Sequence, residues 1–162
     1  MDLKYIELLI NKCTNLKEKK ILFLSFNKEI RPFIDKLVEY CHKLGVEDIY
    51  LEEEDRYLIH DELVRMSSDE IRKSPYFDKS IWDEYAKKGA SFLMFETEIP
   101  HLMDDVEPSN LALAAKLKRS TKPLYRKLQK SCKLSWAIVA YPGVKWAKEV
   151  FPDTVDSYEK LK

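Results

Sequence analysis

Glycine is scarce in this chain, and the shortage excludes a class of binding site. Only three of the 162 residues are glycine, whereas phosphate-binding loops of the nucleotide-binding folds need two or three glycines within a few residues. The chain also has no apolar run near the ~20 residues that a membrane-spanning helix needs. Its N-terminus lacks the basic and then apolar segments of a secretory signal. We therefore predict a protein with neither a glycine-rich nucleotide loop nor a membrane partner.

Net charge and paired cysteines are absent as well. Lys plus Arg and Asp plus Glu number 28 each, so no net field attracts the chain to nucleic acid or to an anionic membrane. The three cysteines, Cys13, Cys41 and Cys132, form neither an even set nor a Cys-x-x-Cys metal motif. Reduced thiols are typical of the cytoplasm. We therefore expect a cytoplasmic protein without a nucleic-acid partner.

Short apolar runs alternate with helical patterns along the chain, which predicts an α/β fold. The first run, Ile21–Phe26, is apolar on both faces, as a strand buried in a parallel sheet is; the other predicted strands are Asp48–Glu52, Ser91–Glu96 and Leu134–Ala140. We expect a mainly parallel sheet of four strands, or slightly more, with helices on both faces in three layers. Gly45 stands where a helix C-cap is expected.

Apolar residues at helical spacing predict the connecting helices. These are Leu3–Thr14, a helix from Pro32 to Cys41, Leu58–Met66, Ser68–Lys73, Tyr76–Lys88, Glu107–Ser131, Val144–Val150 and Thr154–Lys162. Pro123 lies inside the longest of them, so a kink or a junction of two helices is expected there. The last helix has no stop signal. We therefore expect residues 1–162 to be a single α/β domain, the N-terminal fragment of a longer two-domain protein.

An acidic cluster with one histidine follows the third strand. Its members are Glu96, Glu98, His101, Asp104 and Asp105. Carboxylate and imidazole groups at the carboxyl end of a strand suit a divalent metal. Transition-metal sites usually recruit more than one histidine, however, and polar acidic loops are common. A solvated loop is therefore the favoured interpretation.

A basic series in the longest predicted helix is the strongest candidate for a nucleic-acid surface. It comprises Lys116, Lys118, Arg119, Lys122, Arg126, Lys127, Lys130 and Lys133. On one helix these charges would spread around the solvent side, which favours a solvated face over a binding groove. A nucleic-acid binder that uses the Lys116–Lys133 helix stays open as an alternative, with steep salt dependence as its signature.

Side chains near the strand ends suggest two further sites. Trp136 lies in the alternating pattern of the fourth strand and is expected in the core. The aromatic residues after that strand are candidates for a domain or subunit interface; they are Tyr141, Trp146 and Phe151. Ligands bind at the carboxyl ends of parallel strands, which makes a candidate crevice of Asn27, Thr97, Glu98 and Tyr141. A free-standing small-ligand binding module is therefore a second alternative. Ser25 lacks a nucleophile elbow, and residue chemistry alone identifies no catalytic group.

One string of residues resembles a known family. The run from Trp136 to Pro142, followed by Trp146-Ala147 and Val150-Phe151-Pro152, is similar to a segment of the thermophilic-type metalloaminopeptidases, the aminopeptidase T and aminopeptidase S family. The strand Ile21–Phe26, the stretch Lys87–Leu93 and Lys122-Pro123-Leu124 also resemble that family, in the same order. The resemblance covers essentially the whole chain.

The resemblance implies the N-terminal domain of a metal-dependent aminopeptidase, a hydrolase that releases N-terminal amino acids from peptides. In that family two divalent metal ions, of the zinc, cobalt or manganese class, are held in a C-terminal catalytic domain that this sequence does not contain. No catalytic residue, metal ligand or cofactor is therefore expected in these 162 residues. We expect the fragment to be inactive alone, to pack against the catalytic domain and shape access to it, and to support a homodimer.

Overall fold

The protein comprises two compact units, seen in a computed structural model that describes residues 2–14, 16 and 20–161. Unit 1 consists of residues 1–54, 89–100 and 135–162, and it contains the β-sheet. Unit 2 consists of residues 55–88 and 101–134, and its described secondary structure is helical. Each unit has its own cluster of buried apolar side chains.

The sheet of unit 1 has four parallel strands in the order β2-β1-β3-β4. They are β1 (Ile21–Asn27), β2 (Asp48–Glu54), β3 (Ser91–Glu96) and β4 (Trp136–Ala140). In register, Phe23 pairs with Tyr50 and Phe92, and Phe92 pairs with Trp136. Because all four strands run the same way, their carboxyl ends share one edge of the sheet.

Helices at both ends of the chain complete unit 1. They are α1 (Asp2–Leu8), a π-helix (Leu9–Cys13), a 3-10 turn (Lys28–Ile30), α2 (Arg31–Lys43), α8 (Val144–Val150) and α9 (Ser157–Leu161). The inward stripe of α2, which includes Ile34 and Leu37, lies in one buried cluster with Leu22 and Leu24 of β1. Burying each such aliphatic side chain contributes about 1.5–3 kcal/mol. Gly45 ends α2 with φ +75°, a conformation that favours glycine.

Unit 2 is built from five helices in its described residues and one 3-10 turn. They are α3 (Arg56–Arg65), α4 (Ser68–Lys73), the turn Pro75–Phe77, α5 (Ile81–Lys87), α6 (Pro108–Ser120) and α7 (Pro123–Lys130). A capping box between Ser67 and Glu70 starts α4. The core of the unit is formed by Ile59, Leu63, Ile71, Phe77, Val106 and Ala114.

The fold class expected from the sequence is confirmed: a three-layer α/β fold with a four-stranded parallel sheet. The predicted junction at Pro123 is confirmed as a break between α6 and α7, because proline occupies the first helical position of α7. The predicted helix Val144–Val150 has the observed bounds. The last helix spans Ser157–Leu161 instead of starting at Thr154, and Lys162 lies outside the described residues.

Two further local predictions are wrong. The helix expected over Tyr76–Lys88 begins only at Ile81, because the backbone N–H of Ser80 donates to the side chain of Asp78 at 2.8 Å, a local bond that competes with helix formation. Trp136, expected in the core, is 41% exposed, because β4 is an edge strand of the sheet. Among the described residues, no helix has the length and apolarity to cross a membrane.

Candidate functional site

Three of the four predicted crevice residues meet at the carboxyl edge of the sheet in unit 1. The hydroxyl of Thr97 donates to the carbonyl of Tyr141 at 3.0 Å. Asn27 Oδ1 accepts the backbone N–H of Glu29 at 3.0 Å. The backbone of Gly143 closes this edge: a β-carbon there would come 3.1 Å from Thr97 Cγ2 and would overlap the carboxylate of Glu29. Glu98, the fourth residue, is exposed to solvent.

Asn27 carries one of the buried polar atoms of this edge that lack a hydrogen-bond partner among the described residues. Its side chain is 4% exposed, and its Nδ2 has no hydrogen-bond partner among the described residues. A buried donor left unsatisfied costs roughly 1–3 kcal/mol. Such a group marks a position where a water molecule or a ligand acceptor would be stabilised.

Tyr141 fastens the end of β4 to the helices of unit 1. Its ring is buried and stacks on Phe33 with centroids 4.0 Å apart, and its hydroxyl donates to Asp2 Oδ1 at 3.3 Å. Burial raises the pKa of the Tyr141 phenol, so the group stays neutral and keeps its proton to donate. Tyr141 therefore acts as an anchor within the unit.

Trp146 and Phe151, the other two candidate interface residues, are both half-buried in unit 1. Phe151 also contacts the ammonium group of Lys160, which lies 4.5 Å from the ring centroid. The interface role of Tyr141, Trp146 and Phe151 stays a prediction.

The acidic cluster after β3 does not assemble a metal centre. His101 Nδ1 lies 2.8 Å from Asp104 Oδ2, and His60 Nε2 lies 2.8 Å from Asp105 Oδ1. The other ring nitrogen of His60, Nδ1, lies 3.6 Å from Asp61 Oδ1. Within residues 2–14, 16 and 20–161, no group of three or more His, Cys, Asp and Glu side chains could hold a metal ion. The residues present therefore do not fit the two-metal centre that the resemblance implies for the parent protein.

The pairing of His60 with Asp105 is a feature that sequence reasoning missed. The hydrogen bond to Asp105 raises the pKa of His60, and the same bond lowers the pKa of Asp105. The two residues are 45 positions apart, and no local signal connects them. The pair joins α3 to the loop before α6 inside unit 2.

The basic series is divided between two helices. α6 ends at Ser120 and α7 begins at Pro123, so the charges do not follow one solvent face. Four of them line a shallow pocket of about 450 Å³ in unit 2 that is open to solvent; its lining residues are Arg119, Ser120, Pro123, Arg126, Lys127 and Lys130. Lys122 points elsewhere, with its ammonium group 3.5 Å from the centroid of the Trp82 ring. In the sequence, Pro123 predicted the break between α6 and α7 at which this pocket lies.

Comparison with known proteins covers nearly the whole chain. The model of the thermophilic metalloprotease family M29 matches residues 3–162. Aminopeptidase 2 of Geobacillus stearothermophilus is 26% identical over 153 residues, which are 94% of this chain and 37% of that protein. Aminopeptidase PepS of Streptococcus thermophilus is 26% identical over 159 residues, 98% of this chain and 38% of that protein.

A solved structure shows the same fold. Wild-type AmpT from Thermus thermophilus matches with a TM-score of 0.84 at 20% identity, over 99% of this chain and 41% of that one. This chain therefore spans about two fifths of the length of the proteins it matches. The family resemblance seen in the sequence is confirmed, because the family model covers residues 3–162 and the related proteins are aminopeptidases. The chain belongs to the thermophilic metalloprotease (M29) family.

Proposed function

We propose that this chain is the N-terminal part of a metal-dependent aminopeptidase that releases N-terminal amino acids from peptides. The observation that carries the proposal is the family match over residues 3–162 combined with partial coverage of each related aminopeptidase. The catalytic centre, with two divalent ions of the zinc, cobalt or manganese class, then belongs to the part of the protein that these residues do not include. The chain alone is inactive under this proposal.

The proposed role of this part is to pack against the catalytic domain and to shape the approach to its active site. The segment that follows β4 supports such a contact. Val144, Val150 and Val155 are exposed large apolar side chains in this segment, with Val155 at 99% exposure. Exposed apolar side chains grouped in one region often mark an interaction surface. We place the contact on α8 and the residues after it, together with Trp146 and Phe151, and we assign a homodimer and a cytoplasmic location to the parent.

The decisive experiment compares the 162-residue chain with the longer protein encoded by the same reading frame. Release of leucine from leucine p-nitroanilide is measured for both proteins with Zn²⁺, Co²⁺ or Mn²⁺ and after chelation. We expect metal-dependent hydrolysis by the longer protein and none by the chain alone. Stoichiometric binding of two metal ions and hydrolysis by the chain alone would refute the proposal.

A matched pair of variants tests the contact surface. Val150→Ser removes an exposed apolar side chain of α8, and Leu44→Ser removes a similarly exposed one at the end of α2; the two are 47% and 51% exposed. In the longer protein we expect Val150→Ser to lower the thermal midpoint or the activity, because it loses apolar burial against the catalytic domain. Leu44→Ser should have little effect on either quantity. Equal effects of the two substitutions would remove the contact from α8.

A small-ligand binding module is the second candidate, and the orphan amide of Asn27 is the observation that favours it. Nδ2 of Asn27 is buried without a partner at the carboxyl edge of the sheet, where ligands bind in open α/β folds. The test is a ligand screen by thermal shift on the wild-type chain and on Asn27→Asp, which replaces the amide donor with an acceptor. A hit that the substitution abolishes would support the module, and a screen without such a hit would reject it.

A further inference from the structure

Positive charge is concentrated in unit 2, and the proposed function makes no use of it. Unit 2 contains 15 Lys and Arg and 11 Asp and Glu, whereas unit 1 contains 13 Lys and Arg and 17 Asp and Glu. Residues 108–134 contain all eight members of the basic series and no Asp or Glu. Although the chain as a whole has zero net charge, every Lys, Arg, Asp or Glu in residues 108–134 is therefore a cation.

The break between α6 and α7 converts part of this segment into a concave site. Arg119 and Ser120 stand in the last turn of α6, and Arg126, Lys127 and Lys130 follow Pro123 on α7. Together these residues line the pocket of about 450 Å³ described above, and none of its lining residues is acidic. The pocket is shallow and open to solvent, so it suits the terminal charged group of a ligand better than a whole enclosed molecule.

The four cations of the pocket have no partners in the part of the chain that the structure describes. Within residues 2–14, 16 and 20–161, no ion pair or side-chain hydrogen bond involves Arg119, Arg126, Lys127 or Lys130. Other cations of unit 2 are engaged: Arg65 bonds Asp61 at 2.8 Å, and Lys122 lies over the Trp82 ring. Four unpaired cations around one shallow pocket repel each other, and an anion bound there relieves that repulsion.

We propose that this pocket is a binding site for the phosphate group of a small phosphorylated molecule. Two guanidinium groups offer the planar forks that bind phosphate oxygens in pairs, and two ammonium groups add charge without restricting orientation. The α7 N-terminus does not supply the anion site, because Asp83 already accepts its free N–H groups, those of Leu124 and Tyr125.

The buried aromatic rings of α5 and α7 argue against a nucleic-acid surface on this segment. Single strands are bound by exposed aromatic rings on which bases stack. Trp82 and Tyr125 are both buried and pack edge to face, with centroids 4.8 Å apart. Neither ring offers a stacking platform, so the observations favour a compact anion over a polymer.

Titration calorimetry of the 162-residue chain with pyrophosphate at ~0.15 M salt, where the Debye length is about 8 Å, tests the site. The pocket variants are Arg119→Gln and Lys127→Gln, and the control is Lys116→Gln, which removes the same charge from an exposed position of α6 outside the pocket. We expect saturable binding at one site, weakened about tenfold by each pocket substitution because a charge-assisted hydrogen bond is lost. The control should weaken binding less than about twofold, because the charge is screened by salt. Thermal unfolding verifies that the variants remain folded, as expected for exposed side chains.

Several results would overturn the proposal. Pyrophosphate binding that does not saturate, or that Lys116→Gln weakens as much as Arg119→Gln does, would show diffuse attraction to a basic surface. Tighter binding of citrate than of pyrophosphate would assign the pocket to carboxylates. Tighter binding of a single-stranded RNA oligonucleotide, with a steep salt dependence, would identify a nucleic-acid surface. Failure of this site would leave the aminopeptidase proposal untouched, because that proposal is tested by hydrolysis.

Discussion

The start of α7 is stabilised by a carboxylate that lies about forty residues earlier in the chain. Asp83 Oδ1 accepts the backbone N–H of Tyr125 at 2.8 Å, and Asp83 Oδ2 accepts that of Leu124 at 3.0 Å. Lys122, the residue before the helix, provides no side-chain cap. A helix N-terminus whose N–H groups lack partners is unstable, so we predict that Asp83 determines whether α7 packs on α5.

Replacing Asp83 with Ala removes both acceptors at once. A hydrogen bond to a charged group contributes about 1.5–3 kcal/mol, and loss of an N-cap costs about 0.5–2 kcal/mol. Since Asp83 is half-buried, we expect Asp83→Ala to lower the free energy of unfolding by about 2–3 kcal/mol. Asp83→Asn keeps one carbonyl acceptor and should lose roughly half as much.

Urea unfolding of both variants, followed by circular dichroism, measures this effect. A chain of this length should also lose roughly 5–10 °C in thermal midpoint with Asp83→Ala. Glu84→Ala is the matched control, because Glu84 shares the first turn of α5 with Asp83 but is exposed. It should change the free energy by no more than about 0.5 kcal/mol. Equal losses in Asp83→Ala and Glu84→Ala would refute the remote cap and leave only the interaction of a carboxylate with the helix dipole.

Three further predictions follow from other residues. The stabilisation that comes from the raised pKa of His60 is complete below pH ~6.5 and is lost as pH rises through that raised pKa. His60→Gln should therefore reduce the fall in the free energy of unfolding at higher pH. An unchanged slope against pH would contradict the pairing with Asp105. Burial raises the pKa of the Cys41 thiol to about 12. An aromatic disulfide reagent should therefore modify the exposed Cys132 in the folded chain and Cys41 only after unfolding. Fast modification of Cys41 in the folded Cys132→Ser variant would be inconsistent with burial. Gly45→Ala should cost about 1–2 kcal/mol in chemical denaturation because φ is +75° there, and a neutral result would mean that the turn relaxes.

The main elements of the fold were predictable because their signals are local. Strand β1 is apolar on both faces, as a strand inside a parallel sheet must be. The inward residues of α2, its early proline and Gly45 all indicate the same helix. Consistency among such local signals is what makes an element readable from the sequence.

One error arose where the pairing of distant strands decides the outcome, and the other arose where a local side-chain hydrogen bond competes with the helix. Trp136 was expected in the core because its spacing indicates a strand, but spacing does not reveal whether that strand is central or at an edge. Tyr76 to Lys88 has apolar residues at helical intervals, yet Asp78 captures the N–H of Ser80 and delays the helix to Ile81. Local propensity could not decide between these outcomes.

The candidate sites were less predictable than the fold. Asn27 and Thr97 could be placed near the same sheet edge because parallel strands align their carboxyl ends. The basic pocket could not be predicted in the same way. Its shape depends on the angle at which α6 and α7 meet at Pro123, and the sequence shows that a break exists without giving its geometry.

Unit 2 is made entirely of the two connections between successive strands of the sheet. Residues 55–88 leave β2 and precede β3, and residues 101–134 leave β3 and precede β4. Its core combines both stretches, since Ile59 and Leu63 come from the first and Val106 and Ala114 from the second. Unit 2 therefore cannot be excised as one contiguous fragment. A protease that cleaves either connection would leave two peptides held together without a covalent link. An insertion in either connection would leave the pairing register of the strands unchanged.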